Sequence, residues 1–300
     1  MIIMKFKKKR EVIEANMKKK VGLVLEGGGM RGMYTAGVLD AMLENNIMVD
    51  GIVGVSAGSI FGCNYKSRQI GRAIRYNLKY VNDKRYMSLK SLILTGNYFV
   101  EDFCYHELPE KLDPFDAKTF KSTPEKFYSV SMDINSGEAV YHELKNGDAD
   151  DLEWMRASGS LPLVATIVKK DGREMLDGGM VDSIPIKWMQ SQGYEKNIVV
   201  LTQPEDYVKE KSGIIPLIKL KYRKYPALID GISNRHIMYN DTIEYIKSEK
   251  KKNNVLVIQP DTSLGVGRTE KNTDKLQAAY DRGRSDTVRM LDEIRKYMEE

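Results

Sequence analysis

The sequence predicts an α/β fold built on a mainly parallel sheet. Short apolar runs alternate with longer segments whose apolar residues recur at helical spacing, and the first two runs, 21–26 and 52–55, both end in small residues before such a segment. This order is typical of a βαβ unit, whose parallel strands bring their carboxyl ends to one edge of the sheet. No repeat or low-complexity linker divides the chain, so we predict a basic N-terminal tail over residues 1–20 and a single domain over residues 21–300.

The elements after the first unit follow from the same patterns. Residues 67–120 are predicted to be mostly helix and loop, and the sheet resumes with FYSVSMDI and EAVYHEL. ATIVKKDGREMLDGG predicts a hairpin that turns at Asp171-Gly172. NIVVLTQP and NVLVIQP predict two more buried strands on either side of a long helix, ALIDGISNRHIMYNDTIEYIKSEKKK. The C-terminus is predicted to be helical, with an apolar stripe formed by Leu276, Tyr280, Val288, Leu291, Ile294 and Met298.

Composition excludes several classes of protein. With 42% hydrophobic and 30% charged residues, the chain of 300 residues has ordinary globular usage. Two cysteines form no disulfide framework or multi-cysteine zinc site, and three histidines limit metal chemistry further, so we expect no metal and no cofactor. No apolar run reaches the roughly 20 residues that span a bilayer, and the charged start does not resemble a signal peptide, so we expect a cytoplasmic location.

The positive charge is concentrated at the N-terminus. The formal net charge is +5, and the first 20 residues carry eight Lys or Arg against two Glu, so the remaining residues are almost neutral. A neutral body argues against binding to nucleic acid, which requires a basic face on the folded domain. The tail could attract an anionic membrane surface, although a solvated tail without a partner is the simpler interpretation.

Gly54-Val55-Ser56-Ala57-Gly58 fits the pattern G-x-S-x-G. This pattern places a serine on a sharp turn between a strand and a helix, where only very small neighbours let the backbone fold back. Chance supplies the pattern often enough that it is weak alone, but a β-branched run precedes it and a helical segment follows it. The dipole of that helix would favour an anionic intermediate. Ser56 is therefore the candidate nucleophile.

A glycine-rich loop follows the first strand. Its backbone N–H groups could form the oxyanion hole that acyl transfer requires, and its residues are Gly27, Gly28, Gly29, Met30, Arg31 and Gly32. The same loop satisfies G-x-G-x-x-G, with Asp50 eighteen residues beyond Gly32, which makes a dinucleotide-binding Rossmann-type protein an alternative. That fold needs the acid at the end of the second strand, whereas Asp50 precedes the run 52–55, and it leaves G-x-S-x-G unexplained.

A serine nucleophile needs a base, and the histidines are poorly placed for this role. His106 and His142 precede the best acid candidate in the chain, and His236 falls inside a predicted helix. Asp177 ends an apolar strand and is followed by two glycines, which let the chain turn and orient the carboxylate. We therefore predict a Ser56–Asp177 dyad, with an ordinary Asp-Gly-Gly turn as the alternative for the second motif.

These motifs together resemble those of the patatin-like phospholipases, which are lipid acyl hydrolases with a Ser–Asp dyad. GGGMRG, GVSAG and DGGM occur in the order found in that family, and ASGSLP also looks like a family block. The resemblance covers roughly residues 21–186, and NIVVLTQP, the stretch from Arg235 to Asn240 and NVLVIQP look like the continuation in bacterial members. It implies a three-layer α/β/α sandwich, with Ser56 as nucleophile, Asp177 as base, and Gly27, Gly28, Gly29 and Gly32 around the oxyanion. Arg31 falls on the basic position of the family.

The resemblance implies cleavage of a lipid ester through an acyl-enzyme, without a metal. A non-catalytic protein that binds lipid or a partner on the same fold is the second interpretation. The segments SLILTGNYF and SGIIPLIKLKYRKYPALI could supply an apolar approach for lipid. In the second segment, residues 213–229, basic residues alternate with apolar ones, and an edge strand or an amphipathic helix of the fold explains the pattern equally well.

Overall fold

The computed structural model describes residues 19–300. Residues 1–18 of the predicted basic tail lie outside the described residues, so the expectations about the tail stay predictions. No helix among residues 19–300 is long and apolar enough to cross a membrane.

Within the described residues, eight strands form one mixed sheet, as the apolar runs predict. They are β1 (Val21–Leu25), β2 (Gly51–Val55), β3 (Lys126–Asp133), β4 (Ala139–Leu144), β5 (Val168–Lys170), β6 (Arg173–Asp177), β7 (Lys196–Val200) and β8 (Val255–Ile258). The order across the sheet is β5-β6-β3-β2-β1-β7-β8, and β4 pairs with β3. Neighbouring strands in the series β3, β2, β1, β7 and β8 are parallel, whereas β4, β5 and β6 make antiparallel pairs.

Helices surround the sheet. They are α1 (Gly32–Glu44), α2 (Ala57–Lys66), α3 (Arg72–Tyr80), α4 (Leu89–Thr95), α5 (Ala117–Ser122), α6 (Ala149–Gly159), α7 (Ile186–Ser191), α8 (Ile215–Lys221), α9 (Pro226–Lys251), α10 (Thr273–Arg289) and α11 (Leu291–Glu299), with a π-helix over Phe103–Leu112.

Side chains that alternate along β1 point to the two faces of the sheet. Leu23 and Leu25 pack in the core on the face that α1 covers, whereas Val24 packs on the other face with Met189 of α7 and Tyr239 of α9. This period of two is the pattern expected of a strand that is buried on both faces. The three-layer α/β/α sandwich that the resemblance implies is confirmed.

The C-terminal helices pack on the first helix of the chain. The Tyr34 hydroxyl of α1 donates to Asp286 of α10 at 3.0 Å, and the Tyr280 hydroxyl of α10 donates to Asp40 of α1 at 2.7 Å. The predicted apolar stripe is only partly right, because α10 ends at Arg289 and Val288 is exposed. Val288 follows Tyr280 by eight residues, which turns it about 80° away from the buried face of an α-helix.

The segment 213–229 is helical, so an edge strand is excluded there. Ile218 and Tyr222 are buried, whereas Leu217 and Leu220 are exposed. The helix α4 in the segment SLILTGNYF has an exposed apolar face as well, which Leu89, Ile93 and Leu94 form.

The position of Asp50 removes the dinucleotide alternative. Its carboxylate accepts a hydrogen bond from the Val21 N–H at 2.7 Å, at the amino-terminal edge of the parallel pair β1 and β2. The glycine-rich loop leaves the opposite edge, so Asp50 cannot reach a ribose held by that loop. It is a structural residue that joins the starts of two strands.

Candidate active site

Ser56 lies on the sharp turn that the motif predicts. It follows the last residue of β2, precedes α2, and has φ 54° and ψ −122°, a backbone conformation that costs energy for a residue with a side chain. A Cβ at Gly58 would lie 2.5 Å from the Leu25 carbonyl oxygen, so only glycine fits there. Strain of this kind is often found at functional sites, and here it turns the serine out of the end of the strand.

Sheet register explains why Ser56 and Asp177 meet. Strand β3 pairs with β2 up to Val130, opposite Val55, and its next residue, Ser131, pairs with Asp177 at the end of β6. The strand β6 therefore pairs with the same side of β3 as β2 does, beginning where β2 ends. The residue after β2 and the last residue of β6 consequently lie next to each other at one edge of the sheet.

The carboxylate of Asp177 is buried, and it has one oxygen free. Oδ1 accepts a hydrogen bond from the Gly179 N–H at 2.7 Å, whereas Oδ2 has no partner with good hydrogen-bond geometry among residues 19–300. Burial raises the pKa of the Asp177 carboxyl, and the neighbouring Ser56 hydroxyl and the charge of Arg235 lower it in part. A carboxylate with a raised pKa and an unused oxygen beside a serine is suited to accept a proton.

Two serines of the ASGSLP block hold the pair from the same side. The Ser56 N–H donates to Ser158 Oγ at 2.8 Å, and the Ser158 hydroxyl donates to the Val130 carbonyl at 2.6 Å. The Asp177 N–H donates to the Ser160 carbonyl at 2.8 Å. The end of α6 therefore positions both Ser56 and Asp177, a role that no local pattern in the sequence indicates.

The glycine-rich loop lies against Ser56. A Cβ at Gly27 would come within 2.9 Å of the Ser56 Cβ, so this loop passes as close to the nucleophile as a backbone can. Within residues 19–300, no hydrogen bond of the fold uses the N–H groups of Gly27, Gly28 or Gly29. The Ala57 N–H, at the first position of α2, is the other donor at this turn.

Two residues of the predicted oxyanion hole have N–H groups that already bond to the backbone. The Met30 N–H donates to the Arg268 carbonyl at 3.1 Å, and the Gly32 N–H bonds to the carbonyls of Gly29 and Met30. The loop closes into a short 3-10 turn over Gly29–Arg31, which consumes these donors. Met30 and Gly32 shape the loop but have no N–H to offer, and Arg31 contributes a side chain that is described below.

Two cavities adjoin Ser56. The first, which we call the apolar cavity, encloses about 140 Å³ and is lined mainly by aromatic and aliphatic side chains, among them Phe61, Tyr76, Tyr86, Phe99, Tyr105, Leu108 and Val164. Cys63 also lines it and is buried, and burial raises the pKa of its thiol to about 11, as expected of a packed rather than a reactive cysteine. Such a cavity suits a hydrocarbon chain.

The second space, which we call the basic cleft, contains four cationic side chains beside Ser56 and Asp177: Arg31, Lys209, Arg235 and Arg268. Four residues line both spaces: Gly29, Ser56, Leu161 and Arg268. Ser56 therefore lies at the boundary between an apolar and a cationic surface.

None of the three histidines lines either space next to Ser56. His106 is exposed on the π-helix, and His142 stacks on Trp154 with ring centroids 3.9 Å apart. His142, Asp150 and Asp151 form a group whose possible ligand atoms lie within 4.8 Å of one another. Lys170 already pairs with Asp150, and two backbone N–H groups already bond to Asp151, so this group has structural partners and lies apart from the dyad.

Comparison with known families agrees with this geometry. The family model of the patatin-like phospholipases matches residues 23–188, which include the glycine-rich loop, the Ser56 turn and Asp177. The chain belongs to the patatin-like phospholipase family. Membership makes it a hydrolase of the esterase and phospholipase type. A second model, a domain of unknown function called DUF6363, matches residues 225–299, which include α9, β8 and the C-terminal helices.

Several curated relatives are similar over much of this patatin-like chain. The Escherichia coli protein YjjU, described as uncharacterized, is 25% identical over 88% of the chain and 75% of its own length. A putative patatin-like phospholipase domain-containing protein of Caenorhabditis elegans, M110.7, is 25% identical over 60% of the chain and 16% of its own length. The lysophospholipase NTE1 of Scheffersomyces stipitis is 26% identical over 80% of the chain, which spans only 16% of NTE1.

Two solved structures resemble the patatin-like chain more distantly. VipD from Legionella pneumophila has a TM-score of 0.46 at 12% identity and covers 92% of this chain, which covers 67% of VipD. The type III effector ExoU has a TM-score of 0.45 at 12% identity and covers 94% of this chain, which covers 54% of ExoU.

Proposed function

We propose that the chain is a serine lipid acyl hydrolase that cleaves fatty acyl esters of phospholipids or related lipids through a Ser56–Asp177 dyad. The observation that carries the proposal is the unused, buried Asp177 Oδ2 beside the Ser56 hydroxyl, on a strained turn between an apolar cavity and a cationic cleft. Membership in the phospholipase family supports it.

The reaction follows from the positions of these groups. Ser56 Oγ attacks the ester carbonyl while Asp177 accepts its proton, and the carbonyl oxygen becomes an oxyanion. The N–H groups of Gly27, Gly28, Gly29 and Ala57 are placed to bind that oxyanion. Asp177 returns the proton to the leaving alcohol, which leaves an acyl-enzyme on Ser56. Water, deprotonated by Asp177, then releases the fatty acid and restores the serine.

The apolar cavity gives the acyl chain a place during both steps. Its walls begin at Ser56 and Ala57 and continue along α2 and the π-helix. The acyl chain would thus be shielded from water while its carbonyl carbon stays at Ser56.

We also propose that the enzyme is cytoplasmic and binds the surface of an anionic membrane peripherally. The helices α4 and α8, which carry exposed leucines and an isoleucine, lie on either side of one loop, residues 161–167. Just after α4, the Tyr98 N–H donates to the Val164 carbonyl of this loop at 2.8 Å. Just after α8, the Tyr222 hydroxyl accepts a hydrogen bond from the Leu163 N–H of the loop at 3.0 Å. That loop lines the apolar cavity. Lys219, Lys221, Arg223 and Lys224 add positive charge next to the apolar side chains, a combination that suits anionic headgroups.

Vesicle co-sedimentation tests the membrane contact. Replacing Ile93 and Leu220 together by Glu should reduce binding to anionic vesicles by roughly tenfold or more, because two exposed apolar contacts become charged. Val288→Glu is the matched control, since Val288 is exposed on α10, away from these helices. Equal binding of the double variant and the control would remove the membrane proposal and leave the hydrolase proposal standing.

Ester hydrolysis tests the catalytic proposal. The purified protein should release chromophore from short and medium acyl p-nitrophenyl esters, and Ser56→Ala and Asp177→Asn should each lower kcat by roughly 10³-fold or more without unfolding the protein. Full activity of either variant would disprove the dyad. A folded native protein that hydrolyses neither these esters nor vesicle lipids would favour the second interpretation, a lipid-binding protein without catalysis.

A further inference from the structure

The basic cleft holds more positive charge than the fold itself neutralises. Within residues 19–300, none of its four cations forms a salt bridge with a carboxylate. The two acids that line the cleft are Asp177, which serves the dyad, and Glu26. Glu26 accepts hydrogen bonds from the Tyr239 hydroxyl at 2.9 Å and from the Thr202 N–H at 2.6 Å. These two carboxylates offset part of the positive charge, and four cations against two carboxylates leave an excess of cations in the cleft.

The cations are held in place by neutral groups. Arg235 Nε donates to the Gly179 carbonyl at 2.5 Å, just after Asp177, and Lys209 Nζ lies 4.2 Å from the centroid of the Tyr239 ring. Arg31 Nε is buried and has no hydrogen-bond partner in the described part of the chain, residues 19–300. Arg268 is anchored through its own carbonyl, which accepts the Met30 N–H, and its side chain is exposed at the mouth. Burial and the three arginines lower the pKa of Lys209 to about 7.

Uncompensated positive charge of this kind is expensive to maintain unless an anion completes the site. Arginine forks and a lysine are the side chains that bind phosphate oxygens best. A phosphate monoester carries nearly two negative charges at neutral pH, whereas a phosphodiester carries one. A choline or ethanolamine group would bring a further positive charge towards four cations, which opposes binding.

We infer that the basic cleft binds a phosphate monoester carried by the substrate, so that the preferred lipids are acyl esters of a phosphorylated alcohol, of the acylglycerol phosphate type. The inference rests on the proposed function and specifies its substrate class. The ester carbonyl lies at Ser56, the acyl chain enters the apolar cavity, and the phosphate enters the cleft, which shares Ser56, Leu161 and Arg268 with that cavity.

Two of the four cations come from the part of the chain that matches the domain of unknown function. Arg235 lies on α9 and Arg268 lies in the loop before α10, both within residues 225–299. The inference therefore assigns this region a role in binding the lipid headgroup, in a site whose nucleophile and base come from residues 23–188.

Hydrolysis of three esters with the same acyl chain tests the inference: 1-acylglycerol 3-phosphate, 1-acylglycerol and the corresponding glycerophosphocholine ester, each as dispersed monomers. The native protein should favour the phosphate monoester in kcat/KM by roughly tenfold or more over the other two at pH 7. Arg268→Gln and Lys209→Gln should each reduce this ratio by about fivefold. Arg295→Gln, an exposed arginine of α11, is the matched control and should keep the ratio. Equal kcat/KM for the three esters would overturn the inference.

Binding measurements distinguish a headgroup site from a site for a soluble anion. Calorimetry with Ser56→Ala should show that glycerol 3-phosphate binds, and that Arg268→Gln in the same background weakens the binding by about fivefold. Inorganic phosphate that binds without any preference among the esters would identify a site for a soluble anion and overturn the substrate assignment. If the native protein hydrolyses no ester, the proposed function fails, and glycerol 3-phosphate then still decides the cleft: binding supports the phosphate site, and no binding overturns it.

Discussion

The apolar cavity and the basic cleft meet at one side chain, Ser56, yet they differ in almost every physical respect. Aromatic and aliphatic side chains line the cavity, and the chain segments that supply most of them lie between residues 57 and 165. The cleft is lined by cations that come from four separate parts of the chain: Arg31, Lys209, Arg235 and Arg268. Under the proposed function, a nucleophile at this boundary would contact both ends of an amphiphilic ester.

The residues proposed for the chemistry and those proposed for headgroup selectivity also come from different parts of the chain. The proposed nucleophile, base and oxyanion donors all lie between residues 27 and 177, in the part that matches the phospholipase family. Three of the four cations of the cleft lie beyond residue 200. Changes at the proposed dyad should therefore lower the hydrolysis of every ester. Changes in the apolar cavity should alter the preference among acyl chains, and changes in the basic cleft should alter the preference among headgroups.

The largest effect outside the dyad is expected at Ser158. Ser158→Ala leaves the buried Ser56 N–H without its acceptor, a loss of about 1–3 kcal/mol, and frees the strained turn. We expect kcat to fall by roughly 10- to 100-fold for neutral and phosphate-bearing esters alike, and Tm to fall as well. Ser160→Ala is the matched control, because the Ser160 carbonyl that holds Asp177 belongs to the backbone. A loss confined to one class of ester would contradict a shared positioning role.

Narrowing the apolar cavity is expected to lower the hydrolysis of long-chain esters more than that of short-chain esters. Val164 is half-buried in the loop 161–167 and lines the cavity, so Val164→Trp should occupy space that a long acyl chain needs. The ratio of kcat/KM for decanoyl over butyryl p-nitrophenyl esters should fall by about tenfold, since each methylene left outside the cavity loses about 0.8 kcal/mol. Val288→Trp, at an exposed site, should keep the native ratio. An unchanged ratio in Val164→Trp would place the acyl chain elsewhere.

The smallest effect is expected from pH acting on the cleft. Lys209 faces Glu26, Arg31, Arg235, Arg268, Tyr207 and Tyr239, and its pKa is lowered to about 7. The ammonium is present below that pH and is lost above it, so the preference for a phosphate monoester should decline by about two- to fivefold between pH 7 and pH 9. Lys209→Gln should lack this dependence when kcat/KM for both esters is measured over the same range. A preference that rises with pH would contradict the assignment.

Much of the sheet and the core of the site could be predicted from the sequence because their signals are local. The G-x-S-x-G turn, the glycine-rich loop and Asp177-Gly178-Gly179 each occupy a few consecutive residues, and the structure brings all three to one edge of the sheet. The hairpin at Asp171-Gly172 was also readable, since both residues have positive φ and join β5 to β6.

The remaining parts depend on contacts between distant residues. Ser158 is 102 positions from the residue that it supports, and Glu26 is 213 positions from Tyr239, so no local pattern connects them. The contact of the Met30 N–H is equally distant, because it donates to the Arg268 carbonyl, far along the chain. Arg235 and Arg268 sit in segments that look like ordinary amphipathic helix and loop, and only the fold shows that they converge on Ser56.

The most direct test of the dyad is covalent capture of the nucleophile. The native protein is incubated with a fluorophosphonate, and its intact mass and peptide map are measured beside Ser56→Ala and Asp177→Asn. We predict one adduct, on Ser56, which is absent from Ser56→Ala and forms far more slowly in Asp177→Asn because the serine then lacks its base. Labelling of Ser56→Ala to the native extent, or labelling of Asp177→Asn at the native rate, would contradict the catalytic dyad.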